Sequence, residues 1–200
     1  MGSGRVLITD PEPGHQEGQR KSHAAVVHAV NVVKLKPPKL TLDQIRELGD
    51  PIYKTLIPDS WADTNGHVNV RWYAVLYDDA GDVLHDMHAL TLESHRARNS
   101  GTMDLEHHTH FISEVMPGET VSVYVRALAV NAKRLHYLMF VVNESQNRLA
   151  SIFECINSFV DLNVRKTAPW PEATRLLMDE MIAAHSKASW PAPVTGAMSV

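Results

Sequence analysis

One aspartate, Asp63, stands in a polar turn directly before a long stretch with the spacing of a helix. Apolar and aromatic side chains recur after it at intervals of three and four residues: Trp72, Tyr73, Leu76, Tyr77, Ala80, Val83, Leu84 and Met87. The first amides of a helix lack partners inside the helix and carry a partial positive charge, so they stabilise a carboxylate or the oxygen of a polarised carbonyl. The turn therefore predicts a site for carbonyl chemistry at a helix start.

A second group of residues able to do chemistry lies on one predicted strand. Glu106, His108 and His110 alternate, so strict strand periodicity puts them on one face, with Asp104 beside them. Such a face is typical of a wet catalytic cleft, of a solvated strand surface, or of a metal site that uses alternating histidines. The sequence has no second ligand cluster with a diagnostic spacing, so it predicts no metal and favours the cleft.

The elements that must position these residues follow a simple order. A short helix is predicted at 40–48, a strand at 52–57 and the long helix at 68–88. Alternation then predicts four strands, which short turns join into an antiparallel meander: Thr102 to Glu114, Glu119 to Val130, Arg134 to Asn143 and Leu149 to Asp161. A last helix is predicted from Pro171 to about His185. The class is α+β, with an antiparallel sheet wrapped around one long central helix.

Length and composition limit the classes of protein. The 200 residues are 44% hydrophobic with a formal net charge of −4, which predicts one globular domain and argues against nucleic acid as a partner. We expect a flexible N-terminal arm over 1–40, the folded domain over 41–186 and a flexible tail over 187–200. The sequence shows no membrane span and no secretory signal, and its lone cysteine, Cys155, fits a reducing compartment. These features predict a cytoplasmic protein without a membrane partner.

The polar turn and the helix start together resemble a known signature. Asp63-Thr64-Asn65-Gly66-His67-Val68-Asn69, followed by Tyr73, is similar to the Asp-x-x-Gly-His-Val/Met-Asn-x-x-x-Tyr motif of hotdog-fold acyl-CoA thioesterases, the group that includes 4-hydroxybenzoyl-CoA thioesterase. Later segments resemble strands of the same family, including thioesterases linked to carnitine breakdown: Asp104 to His108, Met116 to Val121 and Lys133 to His136. The resemblance extends from 53 to 165 and implies a single hotdog domain.

The resemblance implies hydrolysis of an acyl-CoA thioester without a cofactor. Asp63 would attack the thioester carbonyl or activate water, and the amides of Gly66, His67 and Val68 would stabilise the oxyanion. His67 would contact substrate or orient Asp63, and Asn65 would hold the attacking water. Capping and turn formation are the alternative explanation for the same residues.

Contacts to the substrate are expected from several places along the chain. Val68, Asn69 and Tyr73 belong to the motif, and the cations Lys133 and Arg134 suit CoA phosphates. Aromatic side chains near the motif would admit an aromatic acyl group or a quaternary ammonium if they line the pocket, and are core residues otherwise. They are Trp61, Trp72, Tyr73 and Tyr77.

The family also implies a homodimer or homotetramer with active sites between subunits. Glu106 and His108 are then expected to face the partner's Asp63. Asp78 and Asp79 are rival acids on the helix, but they flank its apolar stripe. Two other functions remain open: an acyl-CoA-binding or regulatory hotdog protein without turnover, and a hotdog dehydratase or hydratase.

Overall fold

Residues 39–200 are the part of the chain that the computed structural model describes. Their helices are α1 (Leu42–Arg46), α2 (Val70–Met87), α3 (Leu92–Arg98) and α4 (Glu172–His185). Their strands are β1 (Tyr53–Leu56), β2 (Ser100–Phe111), β3 (Thr120–Val130), β4 (Arg134–Asn143), β5 (Arg148–Asp161) and β6 (Lys166–Thr167). All predicted elements are present within a few residues, and α3 and β6 are additional. Within 39–200, no helix is both long and apolar enough to span a bilayer.

The strands form one antiparallel sheet in the order β1-β3-β4-β5-β2, with β6 beside β5. The predicted meander is correct for β3, β4 and β5. It is wrong for β2, which pairs with β5 and lies at the edge of the sheet opposite β1. Alternation identifies the residues that share a face, but it does not identify the neighbouring strand.

Helix α2 lies against the inner face of this sheet. Its stripe of buried side chains at three- and four-residue spacing packs in one cluster with Val121, Val123 and Val125 of β3. Tyr77 of α2 stacks on Phe153 of β5 with ring centroids 4.2 Å apart, and its hydroxyl lies 2.6 Å from the Ser151 hydroxyl. The buried stripe fixes the rotation of α2, which determines where its N-terminus points.

The outer face of the sheet is covered by α1 and by the residues after α4. Ile45 of α1 and Trp190 pack in one cluster with Phe140 and other residues of the sheet. The Arg126 guanidinium lies 4.2 Å from the centroid of the Trp190 ring, and its Nη1 donates to the Trp190 carbonyl at 3.0 Å. The expected flexible tail over 187–200 is therefore corrected: it packs on the sheet because Trp190 has apolar surface to bury. The expected arm over 1–40 lies outside the described residues, except for its last two.

Strand β2 contains a bulge that changes which of its side chains face α2. The pairing with β5 shifts between Asp104 and Glu106, so Leu105 is an extra residue. His107 lies opposite Cys155, on the inner face, whereas His108 lies opposite Glu154, on the outer face. A one-residue bulge reverses alternation from that point on. The positions of the polar residues of β2 therefore differ from those that strict alternation predicts.

Candidate active site

The polar turn forms a tight loop that carries Asp63. Its ends are joined by a β-bridge between Ala62 and Val68, and the Asp63 amide donates to the His67 carbonyl at 2.9 Å. The Gly66 amide donates back to the Asp63 carbonyl at 3.0 Å, with Gly66 at φ +84°, a conformation that suits glycine. The sequence folds this way because a glycine stands where the chain needs a positive φ.

The Asp63 carboxylate is partly exposed and held by its own loop. It accepts from the Asn65 amide at 2.7 Å, and the His67 Nε2 atom lies 3.6 Å from Oδ2. The side chain of Asp63 is 17% exposed and that of His67 is 37% exposed. The carboxylate is thus fixed in direction while one side of it remains open to a ligand.

The loop is anchored to the segment before β3. The Val68 amide donates to the Val115 carbonyl at 2.9 Å, and the Glu119 carboxylate accepts from the Met116 amide at 2.8 Å. Burial raises the pKa of Glu119, but bonds from Met116 and from the Asn143 and Gln146 side-chain amides outweigh burial and lower its pKa overall. Glu119 therefore stays ionised and fastens the segment that supports the loop.

Some amides next to the cavities are free to stabilise an oxyanion. Asn69 caps α2, because its side chain accepts from the Arg71 amide at 3.1 Å, and Val70 is the first residue of the helix. Among residues 39–200, the amides of His67 and Val70 have no acceptor, whereas those of Gly66 and Val68 already donate within the protein. The prediction for Gly66 and Val68 is therefore wrong, since backbone bonds close the loop. The first amide of α2, which the sequence reasoning did not single out, is available.

Two connected cavities begin at this helix start. The smaller, about 300 Å³, is lined by His67, Val68, Val70 and Tyr73 among others. The larger, about 630 Å³, shares Val70 and Tyr73 with it and extends along α2 between the helix and β2. Burial raises the pKa of Tyr73 to about 12, so its phenol stays neutral in the cavity wall. Val68 and Tyr73 thus line space for a ligand, whereas the Asn69 side chain caps the helix.

The residues of β2 that face this space are not the ones predicted. Because of the bulge, Asp104 and His107 line the larger cavity beside α2. Glu106 and His108 lie opposite Ile156 and Glu154, on the outer face. One protomer therefore does not bring Glu106 or His108 to its own Asp63, and the expectation that they face the partner's Asp63 stays a prediction about the dimer.

Within one protomer, the predicted CoA-binding cations lie at the end of the sheet opposite the Asp63 loop. Lys133 and Arg134 follow β3, whereas the Asp63 loop is anchored to the segment before β3, roughly 30 Å away along an extended strand. Lys133 Nζ donates to the Thr167 carbonyl at 3.2 Å. Two arginines lie beside the loop instead: Arg71 in the first turn of α2, and Arg148, whose guanidinium donates to the Glu114 carbonyl at 3.0 Å.

The remaining candidates have clear structural positions. Cys155 is buried, which raises the pKa of its thiol and keeps it protonated. Trp61 and Trp72 stack on each other, with centroids 4.9 Å apart, and line neither of the two cavities, so they are core residues. The histidines, cysteine and acids within 39–200 form no group of three or more placed to hold a metal ion.

A curled antiparallel sheet around one long helix, with a carboxylate loop leading into that helix, is the architecture of hotdog-fold enzymes. The family model described as the thioesterase-like superfamily matches residues 57–178. The match covers more than half of the 200 residues, so the chain belongs to the thioesterase-like superfamily. The resemblance carried by the Asp63 motif is thereby confirmed.

Individual known proteins agree with this assignment. The chain is 26% identical to the betainyl-CoA thioesterase of Pseudomonas aeruginosa over 133 residues, which are 66% of this chain and 84% of that protein. It is also 26% identical, over 132 residues, to the L-carnitine dehydrogenase/betainyl-CoA thioesterase of Agrobacterium fabrum, of which the match covers 27%. A hypothetical protein of Staphylococcus aureus solved in complex with CoA shares the fold, with a TM-score of 0.67 at 20% identity over 74% of this chain and 93% of that one.

Proposed function

We propose that this acyl-CoA thioesterase hydrolyses its substrate at Asp63, on the loop that leads into α2. The observation that carries the proposal is a partly exposed carboxylate that accepts from the Asn65 amide at 2.7 Å, on the same loop as His67 and Val68, which line the smaller cavity. Hydrolysis converts the thioester and one water into a carboxylic acid and free CoA thiol. Asp63 either attacks the carbonyl carbon and expels the thiolate, which leaves a mixed anhydride that water then hydrolyses to free the acid and Asp63, or removes a proton from a water that attacks the carbonyl directly.

The oxyanion that forms on the carbonyl oxygen needs hydrogen-bond donors already in place. The amides of Val70 and His67 are the donors we assign, because neither has an acceptor among residues 39–200. The Val70 amide also lies at the positive end of the α2 dipole. His67 Nε2 is close enough to Asp63 to keep the carboxylate oriented, which fits a positioning role for its side chain.

We further propose that the working enzyme is a homodimer formed through β2, in the cytoplasm where acyl-CoA is available. β2 is a twelve-residue edge strand whose exposed side chains include Met103, Leu105 and Phe111. An apolar edge of this length favours pairing with a second copy. Pairing would also enclose the cavity between α2 and β2, and place the active sites between subunits.

The test of the proposal is thiol release from a panel of acyl-CoA thioesters by the unaltered protein and by Asp63→Asn. We expect the variant to lose at least about 100-fold in kcat, because the substitution keeps the size of the side chain and removes its charge. The panel includes betainyl-CoA, since two relatives are named for it. A single turnover in ¹⁸O-labelled water then identifies the nucleophilic role by label in the Asp63 carboxylate, because water that attacks the thioester directly puts label only in the released acid.

Asp59→Asn is the matched control, since Asp59 lies in the turn just before the loop and its side chain makes no hydrogen bond within 39–200. Unchanged turnover in Asp63→Asn would contradict the proposal and move the catalytic acid elsewhere. Binding of acyl-CoA by the unaltered protein without any thiol release would favour the acyl-CoA-binding function instead.

A further inference from the structure

The larger cavity is lined by both aromatic and acidic side chains. Tyr73, Tyr77 and Phe153 present aromatic surface to it, and the carboxylates of Asp78 and Asp104 stand at the end away from the start of α2. No lysine or arginine is among the residues that line it. Aromatic faces and uncompensated carboxylates attract the same kind of ligand group, a cation.

One of these two carboxylates, that of Asp78, has no partner in the described part of the protein. Within 39–200, the Asp78 carboxylate has neither a hydrogen-bond donor nor an ion-pair partner, whereas neighbouring Asp79 accepts from the Tyr53 hydroxyl at 2.8 Å. Partial burial, followed by the charges of Asp82, Asp79 and Asp104, raises the pKa of Asp78. Each of these causes disfavours the ionised form of Asp78. A positive charge placed beside Asp78 would offset them and would itself be stabilised.

A buried acceptor points into the same region. Asn157 is 2% exposed, and its Nδ2 donates to Asp104 Oδ1 at 2.7 Å. Its Oδ1 is buried and has no donor among the described residues. Asn157 lines a recess of about 260 Å³ that continues from the cavity at Tyr77, Asp78 and Asp104. An acceptor left without a partner costs stability, which is recovered when a ligand supplies polarised hydrogens.

We propose that this cavity is the acyl subsite and that Asp78 and Asp104 select an acyl group with a fixed positive charge, such as a trimethylammonio group. The proposal rests on the function proposed above and adds the determinant of its specificity. A quaternary ammonium has no N–H group, so it is bound by charge, by aromatic faces and by weak C–H···O contacts. The Tyr77 hydroxyl already forms a hydrogen bond with the Ser151 hydroxyl, so Tyr77 would contact the ammonium group through its aromatic ring.

The test compares pairs of substrates that differ only in the charged atom. Betainyl-CoA is paired with 3,3-dimethylbutanoyl-CoA, and 4-trimethylammoniobutanoyl-CoA with 5,5-dimethylhexanoyl-CoA. Two lengths are used because Asp78 lies eight residues beyond Val70, about 12 Å along the helix axis. We expect the unaltered enzyme to favour the charged member of at least one pair by at least about tenfold in kcat/KM, with a preference that weakens as salt rises.

The double variant Asp78→Asn with Asp104→Asn is expected to lower the ratio of charged to neutral kcat/KM by about tenfold, because both charges are lost while the shape is kept. Asp86→Asn is the control: it removes a charge from the same helix outside the cavity, and it should leave the ratio unchanged. Circular dichroism and thermal melting verify that each variant is folded.

The outcomes separate this inference from the function on which it rests. Equal hydrolysis within both pairs, a ratio that survives the double variant, or no hydrolysis of either charged substrate would overturn the inference. In the first two cases the enzyme still releases thiol, so the proposed function stands. If Asp63→Asn keeps full turnover, the proposed function fails instead, whatever the preference for charge.

Discussion

Single residues in this enzyme differ in their exposure to water, and exposure determines whether a side chain can contact a ligand. Asp63 keeps one side open while its loop holds it in place, which suits a group that must meet a ligand. His88, at the end of α2, is 1% exposed, and burial lowers its pKa to about 4. Its effect is therefore on the stability of the fold.

His88 makes a contribution to the free energy of unfolding that depends on pH. Folded His88 remains neutral down to about pH 4, whereas the unfolded chain protonates it below about pH 6.5. The unfolded state therefore binds more protons in that window, and the free energy of unfolding falls as the pH drops through it, by up to about 3 kcal/mol. We expect His88→Leu to flatten this dependence, as measured by urea unfolding at pH 4.5, 5.5 and 7.5. A His107→Asn control, at an exposed position, should keep the slope; equal slopes in both variants would contradict the assignment.

The predicted site residues that the structure brings together are those whose contacts are local. Asp63, Asn65 and His67 meet within one turn, so their spacing alone brings them together. The sequence did not predict which side of the sheet Glu106 and His108 face, because their orientation depends on one extra residue in a strand that still looks regular as a sequence.

Among the elements, α2 connects the fold to the chemistry. Periodicity was enough to predict it, since its apolar stripe is long and regular. The order of the strands was not predictable in the same way, because β2 and β5 are far apart in sequence and their pairing is decided by the assembled sheet. Strands β4 and β5 are buried on both faces, which removes the alternation that would identify their inner side.

The N-cap of α2 offers a test at this scale. Asn69→Ala removes the acceptor for the Arg71 amide and should lower the free energy of unfolding by about 1 kcal/mol. Asn69→Asp keeps an acceptor and adds charge at the helix N-terminus, so it should retain the stability of the unaltered protein. Chemical denaturation of the three proteins at one pH measures the differences. A loss of similar size in both variants would mean that Asn69 acts through something other than the cap.

At the scale of the whole molecule, residues 39–200 cover both faces of the sheet but leave its edge open along β2. α2 covers the inner face, and α1 together with the tail around Trp190 covers the outer one. Tail packing was missed because the segment is rich in proline and small residues, and its one large anchor gives no periodic signal. The open edge along β2 is therefore the part of the sheet available for pairing with a second copy.

The proposed dimer is tested by charging that edge. Met103→Lys with Leu105→Lys should convert the protein to a monomer, because four charges would face each other across the paired strands. Sedimentation velocity measures the change, and thiol release should fall with it if the active sites lie between subunits. Leu176→Lys alters an exposed leucine on α4 and should leave both unchanged. A double variant that sediments like the unaltered protein would rule out this interface.

The two edges of the sheet are unequal, and this asymmetry limits how large an assembly can grow. β2 is twelve residues long, whereas β1 has four and is bracketed closely by Pro51 and Pro58, which have no amide hydrogen to donate. Two copies joined through β2 would use up the long edge of each. The short edges left at either end are poor templates for a further strand, so the association that builds the active site would also end there, without polymerising into fibres.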